Sequence, residues 1–137
     1  MRLTELVQGT DIRFTMPIEA LIVRSITSSS REVRDDALFV ALRGSVQDGH
    51  AFIPDACKRG ACAIIAEEIV RNVDPGIPIG ITKNTRKTYA QILQTYYGYP
   101  SKQVEVIGIT GTNGKTTTSF LIRNILQARH KVGVIGT

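Results

Sequence analysis

Apolar residues in this chain fall in short clusters, and the spacing within a cluster changes from one to the next. Leu3, Leu6 and Val7 sit at i, i+3 and i+4, which predicts a short helix over 2–8. Residues 11–15 read as a short strand, and Pro17 interrupts it. Leu21-Ile22-Val23 with Ile26 reads as another strand. Residues 27–36 are polar and rich in hydroxyls, so they predict a loop. Ala37-Leu38-Phe39-Val40-Ala41-Leu42 is a continuous apolar run of strand length, the pattern of a strand buried on both faces. A second loop follows at 43–50, with glycines near both ends and hydrogen-bond acceptors between them. Open α/β sheets bind ligands beyond the carboxyl ends of their strands. The two loops flank one strand, and the pattern places only the second at its carboxyl end.

Residues 51–59 predict a helix, with Phe52, Ile53 and Ala56 on one face and Pro54 in the first turn, where a missing amide costs little. Gly60 is placed to cap it. Residues 62–66 predict a strand. Asp74-Pro75-Gly76 signals a turn, and 77–81 a short strand with Pro78 at its start or on an edge. Asn84 or Thr85 caps a helix running to about Tyr97, in which Tyr89, Ile92, Leu93 and Tyr96 make one apolar stripe. The tyrosines of Tyr96-Tyr97-Gly98-Tyr99-Pro100 read as packing at the helix end rather than as a base-stacking platform. Gly98, Pro100 and Ser101 break the helix and mark a domain boundary at 98–103.

Past that boundary, Val106-Ile107-Gly108-Ile109 predicts a strand over 104–110. It runs into Thr110-Gly111-Thr112-Asn113-Gly114-Lys115-Thr116-Thr117-Thr118 and then a helix over 116–128 with an apolar stripe of Leu121, Ile122, Ile125 and Leu126. Residues 132–136 predict a second parallel strand. Strand, glycine loop, Lys-Thr and helix in that order make a phosphate-binding loop. Backbone amides and the helix N-terminus offer partial positive charge, Lys115 adds a full charge at the β/γ-phosphates, and the Thr116 hydroxyl is placed to hold Mg²⁺. The general pattern asks for glycine where this chain has Ile109. A plain strand–helix turn, however, needs one glycine and no following Lys-Thr-Thr.

Composition narrows the picture. With 137 residues, 42% hydrophobic and 21% charged, the chain is ordinary for a globular protein. No apolar run reaches membrane-spanning length, and the first residues lack the apolar core of a secretory signal. Cys57 and Cys62 make neither a disulfide framework nor a Cys-x-x-Cys pair, and read as small buried residues of a reducing cytoplasm. His50 and His130 stand apart, which gives no support to a histidine metal site. The net charge of +5 suits a polyanionic small molecule such as a nucleotide; the basic residues are scattered, without the aromatic interleaving of nucleic-acid binding. A nucleotide-binding domain cannot be completed in the residues after 108, since each parallel crossover takes about 30 residues. The expected architecture is therefore α/β: a small N-terminal α/β domain with a mixed sheet over 1–100, then the first β-loop-α-β unit of a P-loop ATPase domain over 101–137, incomplete.

The loop Thr110-Gly111-Thr112-Asn113-Gly114-Lys115-Thr116-Thr117-Thr118 resembles the ATP loop of the Mur ligases, whose short spacing accounts for Ile109. Ser30-Arg31, the run from Asp36 to Leu42, Gly44, Asp48-Gly49-His50, Phe52-Ile53-Pro54 and Tyr97-Gly98-Tyr99-Pro100-Ser101 are similar to the MurE type, UDP-N-acetylmuramoyl-L-alanyl-D-glutamate–amino-acid ligase. Asn113 and the Thr116 to Thr118 run favour that type over the dipeptide-adding ligase. The resemblance implies a first domain that holds the UDP end of the substrate. Ser30, Ser45, Val46 and Gln47 match its contacts, and Ser28 lies where the uracil region is touched. Ser29 stands where the family usually has aspartate, which leaves that side chain without an inherited role. It further implies ATP-binding residues Gly111, Thr112, Asn113, Gly114, Lys115, Thr116 and Thr117, with Lys115 catalytic and Thr116 the Mg²⁺ ligand.

The implied reaction, in the cytoplasm, adds the third amino acid of the peptidoglycan stem to UDP-N-acetylmuramoyl dipeptide through an acyl phosphate. ATP and Mg²⁺ are the implied cofactors, with no nucleic-acid partner and no membrane insertion. The full-length enzyme is expected to be a monomer; the 137-residue chain alone is expected to be inactive and to self-associate through an open apolar face. The alternatives are the dipeptide-adding Mur ligase, a non-catalytic nucleotide-sugar-binding module, and another loop-type NTPase such as a small GTPase or kinase. Nothing in the sequence specifies lysine or diaminopimelate as the added residue.

Overall fold

The computed structural model describes residues 1–44, 47–70 and 76–136 and divides into two compact units, Met1–Pro100 and Ser101–Thr137. Asp74 and Pro75 of the expected turn lie outside the described residues.

The first unit is built on a five-stranded mixed sheet in the order β1-β5-β4-β3-β2. Its strands are β1 (Arg13–Phe14), β2 (Ser25–Thr27), β3 (Ala37–Val40), β4 (Ala61–Ala66) and β5 (Ile79–Ile81). β2, β3, β4 and β5 run parallel, and β1 closes one edge antiparallel to β5. Helix α1 (Leu3–Leu6) precedes the sheet, α2 (Ile53–Lys58) joins β3 to β4, and α3 (Thr85–Tyr96) follows β5. The end of α3 is tied back by Tyr96, whose hydroxyl donates to the Arg24 carbonyl at 2.7 Å.

The uninterrupted apolar run at β3 now has its reason. Ala37 and Phe39 pack with Ile53 and Ala56 of α2, while Leu38 and Val40 pack with Leu3, Leu6 and Ile92 of α1 and α3. Successive side chains point to opposite faces, and helices cover both, so every position is apolar. In β4 the alternation slips once. Ala61 and Ile64 share the α2 face, and Ala63 and Ile65 the other, because Cys62 is the extra residue of an irregularity opposite Ala37 and Leu38.

The strand expected at 21–23 moves to 25–27. Val23 is buried, but its amide and carbonyl bond to Met1, and Ile22 bridges to Arg2. Only after Arg24, whose amide donates to the Asp36 carbonyl, does the chain enter register with β3. The strand goes where a parallel neighbour offers its peptide groups, and apolar content alone does not say which three residues those are. Gly60 ends α2 at φ +96°, as a C-capping glycine should.

In the second unit, α4 (Lys115–Leu126) forms one residue earlier than expected. The strands expected at 104–110 and 132–136 are absent: neither segment joins a ladder with any described residue. A β-branched run favours burial, but a strand exists only where a neighbour takes its N–H and C=O groups. Val106, Ile107, Leu121 and Ile125 are correspondingly exposed.

Candidate functional site

The glycine loop and the helix after it form where the sequence indicates, without the strand expected before them. Gly111 has φ +151° and Gly114 φ +74°, and Gly114 stands immediately before α4 as its N-cap. The left-handed turn at Gly114 is one that a residue with a side chain resists, which explains glycine before the lysine. Thr118 N–H donates to the Gly114 carbonyl at 2.9 Å, the first bond of the helical ladder. The amides of Lys115, Thr116 and Thr117 precede that bond and have no acceptor within the helix. Residues Thr112, Asn113, Gly114, Lys115, Thr116 and Thr117 line an open hollow of about 320 Å³. Lys115 folds over the loop, its Nζ donating to the Gly111 carbonyl at 2.6 Å and lying 3.5 Å from the Thr112 carbonyl. Amide donors, a helix N-terminus and an ammonium around one hollow can neutralise a chain of phosphates.

The donor set suits a nucleotide polyphosphate directly and Mg²⁺ only through it. Among the described residues no group of three or more His, Cys, Asp or Glu is arranged to hold a metal ion. The Thr116 hydroxyl is a hard oxygen ligand of the kind Mg²⁺ accepts when phosphates and water complete its shell.

The first unit carries the remaining expected residues. Because β2 and β3 are parallel neighbours, the loops after both strands leave the same edge of the sheet, a relation the sequence left open for the first loop. Ser28 follows β2 directly and is half-buried. Ser30 opens a 3-10 turn, Ser30–Glu32, and is 8% exposed. Its hydroxyl bonds to the Asp55 carboxylate. That bond, followed by the one from Arg59 Nε, holds Asp55 below the usual carboxylate range. Ser29 supplies no side-chain cap to the turn; its amide donates to Thr27 Oγ1 at 3.0 Å. Gln47 is exposed on the same edge, its carbonyl accepting from Gly44 N–H at 3.0 Å. Ser45 and Val46 lie outside the described residues.

A set of polar residues to which the sequence reading gave no site role, although it quoted Asp48-Gly49-His50 in the resemblance, stands beside these. Asp48 Oδ1 accepts from the His50 amide at 3.0 Å and pairs with His50 Nδ1, and these two bonds, in that order, hold Asp48 below its ordinary range. The His50 ring is buried, and its Nε2 accepts from the Glu67 amide at 2.9 Å. Glu67 Oε1 accepts from both the amide and the hydroxyl of Thr85, each at 3.0 Å. The amide bond is the chief reason the Glu67 carboxyl is also lowered. Arg43 reaches Asp48 at 3.4 Å, Glu67 at 3.7 Å and Glu68 at 3.1 Å. The signals were local: Asp two residues before a buried His at a helical start, and paired glutamates directly after a strand.

Comparison with known proteins gives the same direction. A family profile described as the Mur ligase family, catalytic domain, matches residues 22–97. The UDP-N-acetylmuramoyl-L-alanyl-D-glutamate–2,6-diaminopimelate ligase of Alkaliphilus metalliredigens is 41% identical over all of this chain and 28% of its own length. The ligase of the same name from Aquifex aeolicus is 47% identical, over 84% of this chain and 23% of its own. Among solved structures, the UDP-N-acetylmuramoylalanyl-D-glutamyl-2,6-diaminopimelate–D-alanyl-D-alanyl ligase of Acinetobacter baumannii superposes with a TM-score of 0.67 at 28% identity, over 92% of this chain and 28% of that one. The MurF ligase of Thermotoga maritima in complex with ADP gives 0.57 at 36% identity, over 80% and 25%. The chain thus spans about a quarter of the length of the relatives it matches.

Proposed function

The chain belongs to the Mur ligase family, and on that premise we propose that it supplies the UDP-substrate-binding domain (1–100) and the opening of the ATP-binding domain (101–137) of a ligase that adds the third amino acid to UDP-N-acetylmuramoyl-L-alanyl-D-glutamate. The observation that carries this reading is identity of 41% to a diaminopimelate-adding ligase across the whole chain, phosphate loop included. The names of the relatives support diaminopimelate as the residue added; a cytoplasmic place of reaction is what the family resemblance implies.

In this reading ATP supplies the phosphoryl group that converts a substrate carboxylate, a poor electrophile, into an acyl phosphate open to attack by an amine. The chain's own contribution is electrostatic. Lys115 exchanges the Gly111 carbonyl for phosphate oxygens, the amides of Gly114 to Thr117 orient the terminal phosphates, and the Thr116 hydroxyl would supply one oxygen ligand to Mg²⁺, which would offset charge on those phosphates. Ser28, Ser30 and Gln47 hold the UDP end at the carboxyl edge of the sheet, and the resemblance adds Ser45 and Val46 to the contacts. The shift of Lys115 between carbonyl and phosphate needs no change in the fold of α4.

The test is calorimetry of the 137-residue chain with UDP-N-acetylmuramoyl-L-alanyl-D-glutamate. Saturable binding that free UDP displaces is the expected result; absence of binding at millimolar ligand overturns the assignment of the first unit. A second reading, the dipeptide-adding ligase, is favoured by the superposition on the Acinetobacter structure. The 28% identity there against 41% and 47% for the diaminopimelate-adding relatives ranks it second.

A further inference from the structure

We infer that His50 is a positioning residue, a neutral imidazole of fixed tautomer that holds the base of the 43–49 loop against the end of β4 and the start of α3. The inference rests on the reading of this sheet edge as the UDP-substrate site.

The tautomer follows from donor and acceptor chemistry. A backbone N–H can only donate, so the Nε2 that faces the Glu67 amide at 2.9 Å must present a lone pair. The ring hydrogen therefore sits on Nδ1, where Asp48 Oδ1 receives it. The His50–Asp48 contact is thus a hydrogen bond from a neutral ring, not an ion pair. Both ring nitrogens are engaged inside the protein and the residue is 7% exposed, so it is available neither as a proton carrier nor as a metal ligand.

What the imidazole joins is specific. On the loop side, Arg43 and Asp48 bridge across the loop base, Gly44 N–H donates to the Gln47 carbonyl at 3.0 Å, and Gly49 N–H donates to the Leu42 carbonyl at 2.9 Å. On the other side, Glu67 gives its amide to His50 and its carboxylate to the N-terminus of α3. Arg86 of α3 returns to the loop, its guanidinium 3.4 Å from the Arg43 carbonyl. The base of the loop is therefore tied to the end of β4 and the start of α3 through the His50 ring, beside the exposed contacts of Arg43 with Glu67 and Glu68 and of Arg86 with Arg43. Gln47, on that base, is the described residue through which a shift would reach the substrate. An apolar replacement of similar volume would keep the packing and leave the Glu67 amide without its acceptor, while the half-exposed Asp48 carboxylate would keep the residue-50 amide and Arg43.

The experiment has a ligand-free arm and a binding arm on the 137-residue chain. Nitrogen-15 NMR of the His50 ring at neutral pH is expected to show a protonated Nδ1 and a bare Nε2; an Nε2–H ring or an imidazolium overturns the inference. His50→Ala is expected to weaken binding of UDP-N-acetylmuramoyl-L-alanyl-D-glutamate roughly tenfold, the size of one buried hydrogen bond. It should also speed amide exchange at Gly44 and Gly49. His50→Gln, which can again accept from the Glu67 amide, should recover most of both; unchanged affinity and exchange in His50→Ala overturn the inference. Should His50→Ala not fold, the Gln and Asn variants decide, since Gln reaches the Nε2 position and Asn does not. Equal or reversed affinities for that pair overturn it. If the unaltered chain binds no UDP compound, the proposed function fails, and the ring tautomer with the Gly44 and Gly49 exchange rates decides the positioning role by itself.

Discussion

Glu67 accepts from Thr85 twice, from its amide and from its hydroxyl, both at 3.0 Å. A residue at the end of β4 thus completes the N-terminus of α3, where Asn84 alone caps Lys87 N–H at 2.9 Å. Thr85 is 1% exposed, so its amide has no solvent to turn to when Glu67 is removed. Glu67→Ala is expected to lower stability by about 1–2 kcal/mol, as loss of a helix cap does. Urea unfolding followed by circular dichroism reads this directly, and an unchanged midpoint would count against the cap.

The same carboxylate, with Asp48, Asp55 and Asp11, sets the response to acid. Each is lowered from its ordinary value, 4.5 for Glu67 and 3.8 for the aspartates. A depressed folded pKa stabilises the native state above the unfolded value and loses that contribution as pH falls through the folded value. Melting temperature is therefore expected to fall as pH drops below about 5, through the ordinary carboxylate range and under it. Asp11, Asp48 and Asp55 are open or half-open to solvent and Glu67 is more covered, so the loss is gradual. A melting temperature that rises on acidification contradicts this assignment.

Gly49 and Gly98 should respond unequally to alanine. A Cβ at Gly49 would lie 2.6 Å from the Leu42 carbonyl oxygen and 2.7 Å from its nitrogen, both backbone atoms that cannot turn aside. Gly49→Ala is expected to cost about 1–3 kcal/mol and to loosen the loop base. Gly98 has φ +70° but nothing within 4 Å, so Gly98→Ala meets only the left-handed backbone penalty of about 1 kcal/mol. Paired denaturation curves test the order.

Lys115→Ala separates the two units. In the full-length ligase of the proposed function, turnover is expected to fall by about 10³ or more, since the loss is of charge at the transferring phosphoryl group. Binding of the UDP substrate should stay within about twofold, because additivity holds for sites without shared partners. Steady-state kinetics with calorimetry on one preparation shows both; equal loss of turnover and UDP binding argues against separate sites.

Much of this was legible in the residues. The burial of β3 on both faces, α3 with its Asn84 cap, the glycine at position 60 and the phosphate loop at 111–117 are local facts of spacing, side-chain chemistry and backbone freedom. The cap, the glycine and the loop are stated completely, because their interacting positions lie within a turn or two of one another; β3 is stated only as an apolar run, since its partners Leu3, Leu6, Ile53 and Ile92 are distant in the chain. The tertiary structure decided what depends on distant partners. It moved β2 to 25–27, since the N-terminal residues take the peptide groups of Val23 and only the next residues meet β3. It left 104–110 and 132–136 outside any ladder among the described residues, because an apolar run does not supply its own neighbour. It also changed His50 from an isolated histidine into the link between a loop, a strand and a helix. Its partner Glu67 is 17 positions away, and no periodicity along a chain records which amide will face a ring nitrogen once the sheet has closed.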